Sequence, residues 1–292
     1  MKRISWLASR ILFLLLACCA PSWGQASEQN RNAIPDKLVV LTFDDSAKSH
    51  FTVVRPLLKQ YGFNATFFIT EGFDFTDNKT DYMTWAQIAQ LHRDGFEIGN
   101  HTRDHLGITD KTVDRLDEQL AAIEQECQLH GIPKPVTFAW PGNATSEKAF
   151  KILSQHGIKF ARRGGAPEYP YQRGRGFAYE PGLDHPLLLP SAGDARPNWT
   201  LDDLIRAVEQ ARDGKIAILQ FHGTPDTAHS WVNTPQANFQ AFMKYLAINK
   251  YQVVALRDLA RFAGTDATPT DPMKIIRDRQ AKLAATKASS SR

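Results

Sequence analysis

Three stretches of this sequence set reactive side chains at the ends of apolar runs. The run Leu38 to Phe43 passes directly into Asp44-Asp45-Ser46. Two adjacent carboxylates at such a place are costly to bury without a partner. A helix N-cap would explain one of them more easily than both. Further on, Gly99-Asn100 leads into His101 and His105, spaced i and i+4. On a helical turn that spacing faces two imidazoles the same way, as metal ligands need, although solvated histidine pairs share it. Ile216 to Phe221 then runs into His222-Gly223, where a histidine serves catalysis or packing equally well. Asp45, His101 and His105 together form a three-ligand set that leaves positions open for water and substrate.

These side chains can meet only if the preceding elements end on one rim. Short apolar runs alternate with helical patterns from Lys37 onward, with strands predicted to lead into Asp44, His101, Trp140, Arg162 and His222. Repeated β-then-α units argue a parallel sheet, with enough units to close a barrel. In such a fold the C-terminal strand ends face the active site. Two stretches break the rhythm. Gly164 to Pro197 is rich in Gly, Pro, Tyr and Arg, and an excursion of that length is usually functional. Residues 264–292 are polar and lack a long apolar stripe, which reads as a flexible or helical tail.

The chain has 292 residues, 42% hydrophobic and 23% charged, enough for a sizeable core and not the composition of a disordered chain. A net charge of +4 gives no argument for nucleic acid, which needs a clustered basic face. Lys2, Arg3 and Arg10, the apolar run Ile11 to Ala20 and Gly24-Gln25-Ala26 read as a signal peptide over 1–26. A linker over 27–36, a catalytic domain over 37–263 and the tail over 264–292 follow. The expected location is secreted, periplasmic or extracellular, with no transmembrane segment after cleavage; lipidation at Cys18 is the alternative. Of the three cysteines, only Cys127 lies beyond the signal, so no internal disulfide is expected and its thiol reads as packed. Nothing here specifies an oligomeric state.

Taken in order, Thr42-Phe43-Asp44-Asp45, His101-Thr102-Arg103-Asp104-His105, a Pro141-Gly142 loop after a strand, and a strand ending in His222 resemble the polysaccharide deacetylase family. This is the group with the NodB homology domain, carbohydrate esterase family 4-like, and the likeness runs roughly from Leu38 to Phe262. The resemblance implies an α/β fold, a distorted (β/α) barrel of about seven parallel strands. It implies that Asp44 is a general base and His222 a general acid. It also implies one divalent cation on Asp45, His101 and His105: zinc, with cobalt, nickel or manganese as alternatives. Trp140 would be a sugar platform beside Pro141, and a backbone N–H near Gly142 an oxyanion donor. Other aromatics near the rim segments or in the excursion are Trp199, Trp231, Tyr169, Tyr171 and Tyr179.

Two features depart from the family pattern. Ala139 stands where an Arg usually pairs with the base, and Arg162 or Arg163 is expected to replace it, a solvated basic pair being the alternative. The usual Asp-x-x-Asp-Trp segment is not recognisable, and Asp226 is the carboxylate nearest His222 in sequence. The implied activity is metal-assisted removal of N-acetyl groups from an acetylated amino-sugar chain. An O-acetyl esterase, or a catalytically weak carbohydrate-binding protein on the same scaffold, are the alternatives. Retention of both Asp44 and His222 favours catalysis.

Overall fold

The computed structural model describes residues 33–264 and 268–290. The segment read as a signal peptide, Cys18 included, lies outside these residues. The strand β1 (Leu38–Phe43) is buried along its whole length. Its alternating side chains feed two cores, as strand geometry dictates. Val39, Leu41 and Phe43 enter a layer shared with the flanking helices. Leu38 and Val40 enter the barrel interior with Phe68, Phe160 and Ile218. A continuous apolar run is therefore what this central position demands.

In chain order the elements are β1, α1 (Arg55–Tyr61), β2 (Thr66–Ile69), α2 (Trp85–Arg93), β3 (Glu97–Asn100), α3 (Leu116–Leu129), β4 (Thr137–Ala139), α4 (Ala149–Gln155), β5 (Phe160–Arg162), β6 (Gly193–Asp194), α5 (Leu201–Val208), β7 (Ala217–Phe221), α6 (Gln236–Ile248), β8 (Gln252–Val254) and α7 (Lys274–Ser290). The strand order is β5-β4-β3-β2-β1-β7-β6, and β8 pairs with the start of β1. Every pairing between these strands is parallel. Seven of the eight strands thus curl into a half-barrel: the parallel sheet that the alternating pattern predicts, in the distorted-barrel form that the family resemblance implies. The β2–β3 approach is close: a Cβ on Gly99 would meet the Phe68 ring at 2.5 Å.

The long excursion spans the sheet's open side. Leu189 exchanges backbone bonds with β5, where the Leu189 N–H donates to Ala161 O at 2.9 Å and Arg163 N–H to Leu189 O at 2.8 Å. Five residues on, Asp194 closes β6 against β7. Two residues are too few for any periodicity, which is why β6 has no sequence signature.

The polar tail holds α7, and it is anchored. Ile276 is buried, and Arg279 reaches the excursion, donating to Asp184 at 2.7 and 2.8 Å and to Glu180 at 3.1 Å. The sequence shows no stripe here because a buried cation, not an apolar face, makes the anchor. Among the described residues no helix is long and apolar enough to cross a membrane. Cys127 is a buried free thiol, and burial pushes its pKa up to about 12.

Candidate active site

The C-terminal ends of β1, β3, β4, β5 and β7 converge, and the residues that follow them or end them are Asp44, His101, Trp140, Arg162 and His222. All of these but Arg162 line a cavity of about 140 Å³, together with Asp45 and His105. Backbone conformation is unusual at this rim. Asp45, Ser46, Thr102, His105 and Asn143 all have φ between 53° and 70°, the left-handed region that non-glycine residues avoid. Such strain persists where the surroundings over-determine it, and it clusters at functional sites.

Asp45 Oδ1 faces His101 Nε2 and His105 Nε2, each at 3.3 Å. The ligand atoms of the three residues lie within 4.8 Å of one another. The His101 Nδ1–H donates to Ala139 O at 2.8 Å, which leaves Nε2 with a lone pair directed at the carboxylate. Asp45 Oδ1 itself is buried and has no hydrogen-bond partner. Three lone pairs converging on one point repel unless positive charge sits among them. The protonation tendencies say the same. Burial pushes Asp45 up, but His101, His105 and the charge on His222 outweigh it and hold the carboxyl well below its usual range. Burial pushes His101 down, but Asp44 and Asp45 outweigh it and raise that imidazole. One carboxylate with two imidazoles is a donor set able to hold a divalent cation.

Asp44 sits beside this set and is held by different groups. Arg162 Nη2 donates to its Oδ1, and Gln220 Nε2 donates to its Oδ2 at 3.1 Å. Both Asp44 and Arg162 are buried, and the guanidinium carbon lies 5.4 Å from the Phe68 ring centroid. This guanidinium comes from the strand next to Ala139, where Arg162 is the register partner of Ala139. Arg163 goes elsewhere: it is fully paired with Glu168 at 2.7 and 2.8 Å. It is neither at Asp44 nor solvated.

His222 Nε2 lies 3.9 Å from Asp45 Oδ2, and its Nδ1 lies 3.9 Å from Asp194 Oδ1. Asp194, in the two-residue β6, is the carboxylate behind His222, and it also pairs with Arg196. Burial raises the Asp194 carboxyl against the opposing charges of His222 and Arg196. Asp226, the neighbour by sequence, instead accepts from Gly223 N–H at 3.0 Å and His229 N–H at 2.6 Å. Its place is to brace the turn after β7 and to face the His229 ring at 3.6 Å.

Trp140 is a wall and not a platform. It is 1% exposed, and its indole N–H donates to Leu187 O at 2.9 Å. A tryptophan opening a short turn packs inward when Phe138 and Phe150 are there to receive it. Trp199 and Tyr179 are likewise buried, whereas Trp231 is 62% exposed. Pro141 and Gly142 form a tight turn with Asn143, whose N–H bonds to Trp140 O at 3.2 Å. The Gly142 amide is left as the candidate oxyanion donor.

The polysaccharide deacetylase family model matches residues 31–161. Over that stretch the chain is similar to this family. The peptidoglycan-N-acetylglucosamine deacetylase of Bacillus cereus is 28% identical over 125 residues, which cover 42% of this chain and 55% of that one. The chain spans about half the length of the curated relatives it matches. Among solved structures, a family 4 acetyl xylan esterase from Clostridium thermocellum, in complex with a cobalt ion, superposes with a TM-score of 0.52 at 24% identity, over 81% of this chain and 95% of that one. A CE4 family pseudoenzyme from Bacillus anthracis gives 0.53 at 18%, over 78% and 67%. At these identities the structures speak for the fold alone.

Within the polysaccharide deacetylase frame, motif reading does not find Gln220, Asp194 and His229. A Gln inside the apolar run Ala217 to Phe221, just ahead of a His, is a usable signal for the first. Asp194 has none, since its element is too short. His229 lies at the cavity mouth, where its hydrogen bond to Asp226 raises its pKa and burial opposes the rise. Tyr82, whose hydroxyl is 3.4 Å from Nε2, and the more distant charges of Asp45 and Asp81 also face it. A raised histidine stabilises the fold fully below its unfolded value of about 6.5, and that contribution fades as pH rises through the folded value. The difference in urea midpoint between wild type and His229→Gln should therefore shrink from pH 5.5 to pH 8.5. A difference that grows over that range would contradict the Asp226–His229 pairing.

Proposed function

We propose that this chain is a metal-dependent hydrolase that removes N-acetyl groups from an acetylated amino-sugar chain. One observation carries the reading: the Asp45, His101 and His105 set lies beside an Asp44 held by Arg162, with a His222 backed by Asp194 facing it. Pure binding has no use for a buried carboxylate that a guanidinium and an amide hold in place. Bound at the three ligands, a divalent cation supplies Lewis acidity to the acetyl carbonyl and to an attacking water. Asp44, fixed at both oxygens, accepts the proton of that water. The Gly142 amide donates to the carbonyl oxygen as charge develops there. His222, with the Asp194 carboxylate 3.9 Å behind its Nδ1, gives its proton to the departing amine nitrogen. The basic-apolar-small order of residues 1–26 supports export of this chemistry from the cytoplasm.

The deciding experiment measures acetate release from an N-acetylated glucosamine oligomer and from an O-acetylated xylan side by side. Release from the first supports the proposal. Release from the second alone makes the protein an O-acetyl esterase, and none from either reduces it to a binding protein. The metal is tested without turnover. Purified protein should carry about one equivalent of divalent metal. His101→Ala should lose most of it, because both the imidazole and its anchoring at Ala139 O go. Full occupancy in that variant would remove the metal from this site.

A further inference from the structure

The exposed large aromatics among the described residues are Phe73, Tyr171 and Trp231, and all three line the active-site cavity. Two of them share a neighbour. The Phe73 ring lies 4.5 Å from the His229 ring, and the Trp231 ring 5.1 Å from it on an edge-on approach. Phe73 also stacks parallel to Tyr82 at 6.4 Å and lies 4.6 Å from the His105 ring.

Phe73 is held at a φ of 57°, an unfavourable backbone conformation for a bulky side chain. The chain is forced there by its neighbours. Before it, Gly72 approaches so closely that a Cβ would meet Asp104 C and His105 Cβ at 2.8 Å, and the Glu71 N–H bonds to Arg103 O at 2.8 Å. After it, the Phe75 N–H bonds to Phe73 O at 2.7 Å. The other strained residues of this rim have evident duties. Asp45 and His105 belong to the ligand set, Ser46 and Thr102 adjoin ligands, and Asn143 follows the oxyanion turn. Phe73 has no such duty, is 41% exposed, and glycine would meet the same turn without strain. Strain retained at an exposed aromatic is a reason to ask what its face is for.

We propose that Phe73 and Trp231, with His229 set between them, form a sugar subsite for the residue adjoining the one that carries the acetyl group. This rests on the function proposed above, and it makes the substrate a chain and not a monosaccharide. The C–H face of a pyranose lies flat on an aromatic ring while its hydroxyls stay in water, which suits rings that are half exposed. The subsite adjoins the metal ligands through the Phe73–His105 contact, so a sugar seated on it holds its neighbour over the reacting centre.

The test compares kcat/KM on an N-acetylated β-1,4-glucosamine tetramer with that on the N-acetylated monomer. Phe73→Gly and Trp231→Ala should each cut the preference for the tetramer by about tenfold. Phe73→Gly should also unfold at or above the wild-type temperature, since glycine relieves the strain. Equal losses on both substrates, or an unchanged preference in both variants, would overturn the subsite. A calorimetric titration separates this from the proposed activity. The tetramer is titrated into zinc-loaded Asp44→Asn protein, with and without Phe73→Gly, so that binding is read without turnover. Affinity weakened about tenfold by the added substitution supports the subsite even if wild type releases no acetate. Unchanged affinity, or no binding to either protein, overturns it.

Discussion

Asp44→Asn protein should keep its divalent metal and lose about a hundredfold or more of its turnover, the range for a positioned base. The substitution separates base from ligand because Asp44 is not one of the three residues that converge on the metal position. It also leaves the fold nearly undisturbed. The amide oxygen still accepts from Arg162, and the amide nitrogen can donate to Gln220 if that side chain turns over. The turn is available because Gln220 Oε1 is buried without a partner, so a donor facing it satisfies an orphaned acceptor. A fall in kcat with unchanged metal content and unchanged unfolding midpoint is the expected combination. Retention of near-native kcat on the N-acetylated oligomer would end the assignment of Asp44 as the base. Loss of metal would mean that Asp44 belongs to the ligand set.

How much of this site a reader of the sequence can reach depends on whether the residue follows a long element. Asp44, Asp45 and His222 follow β1 and β7, buried strands of six and five residues whose apolar runs stand out. His101 and His105 are legible through their spacing. The guanidinium beside Asp44 is legible only as a choice of two, because both Arg162 and Arg163 are buried and only the pleat decides which one points inward. Arg163 turns to Glu168 for that reason. Asp194 is hidden because β6 exists through its pairing with β7 and a bridge to Arg175, contacts distant in sequence that leave no local pattern. Trp140 misleads for the opposite cause. Its place in a rim motif suggests a sugar platform, but tertiary packing takes the ring inside. The acidic anchors of α7 likewise lie some hundred residues away, at Asp184 and Glu180.

Removing the Arg162 guanidinium should have the largest effect on stability, because it leaves Asp44 buried and uncompensated. Breaking such a pair from one side costs about 3–5 kcal/mol. Arg162→Ala should therefore lower the unfolding midpoint sharply and depress turnover along with it. The register of β4 and β5 offers a rescue. Ala139 and Arg162 are direct cross-strand partners, so an Arg at either place can aim at the same carboxylate. Ala139→Arg alone puts a second guanidinium into a fully buried position, and overpacking of that kind costs about 1–3 kcal/mol. In the Arg162→Ala background the same change fills the space just vacated and restores the charge. The two substitutions should thus be strongly non-additive, with the double variant both more stable and more active than Arg162→Ala. Urea unfolding and kcat on the N-acetylated oligomer, measured on all four proteins, give the cycle. If the double variant is no better than Arg162→Ala, the position of the charge on β5 matters as well as its sign. The reason would then lie with Asp194, whose charge Arg162 also faces from β5. An Arg on β4 would restore the partner of the base while leaving the carboxylate behind His222 without that opposing charge.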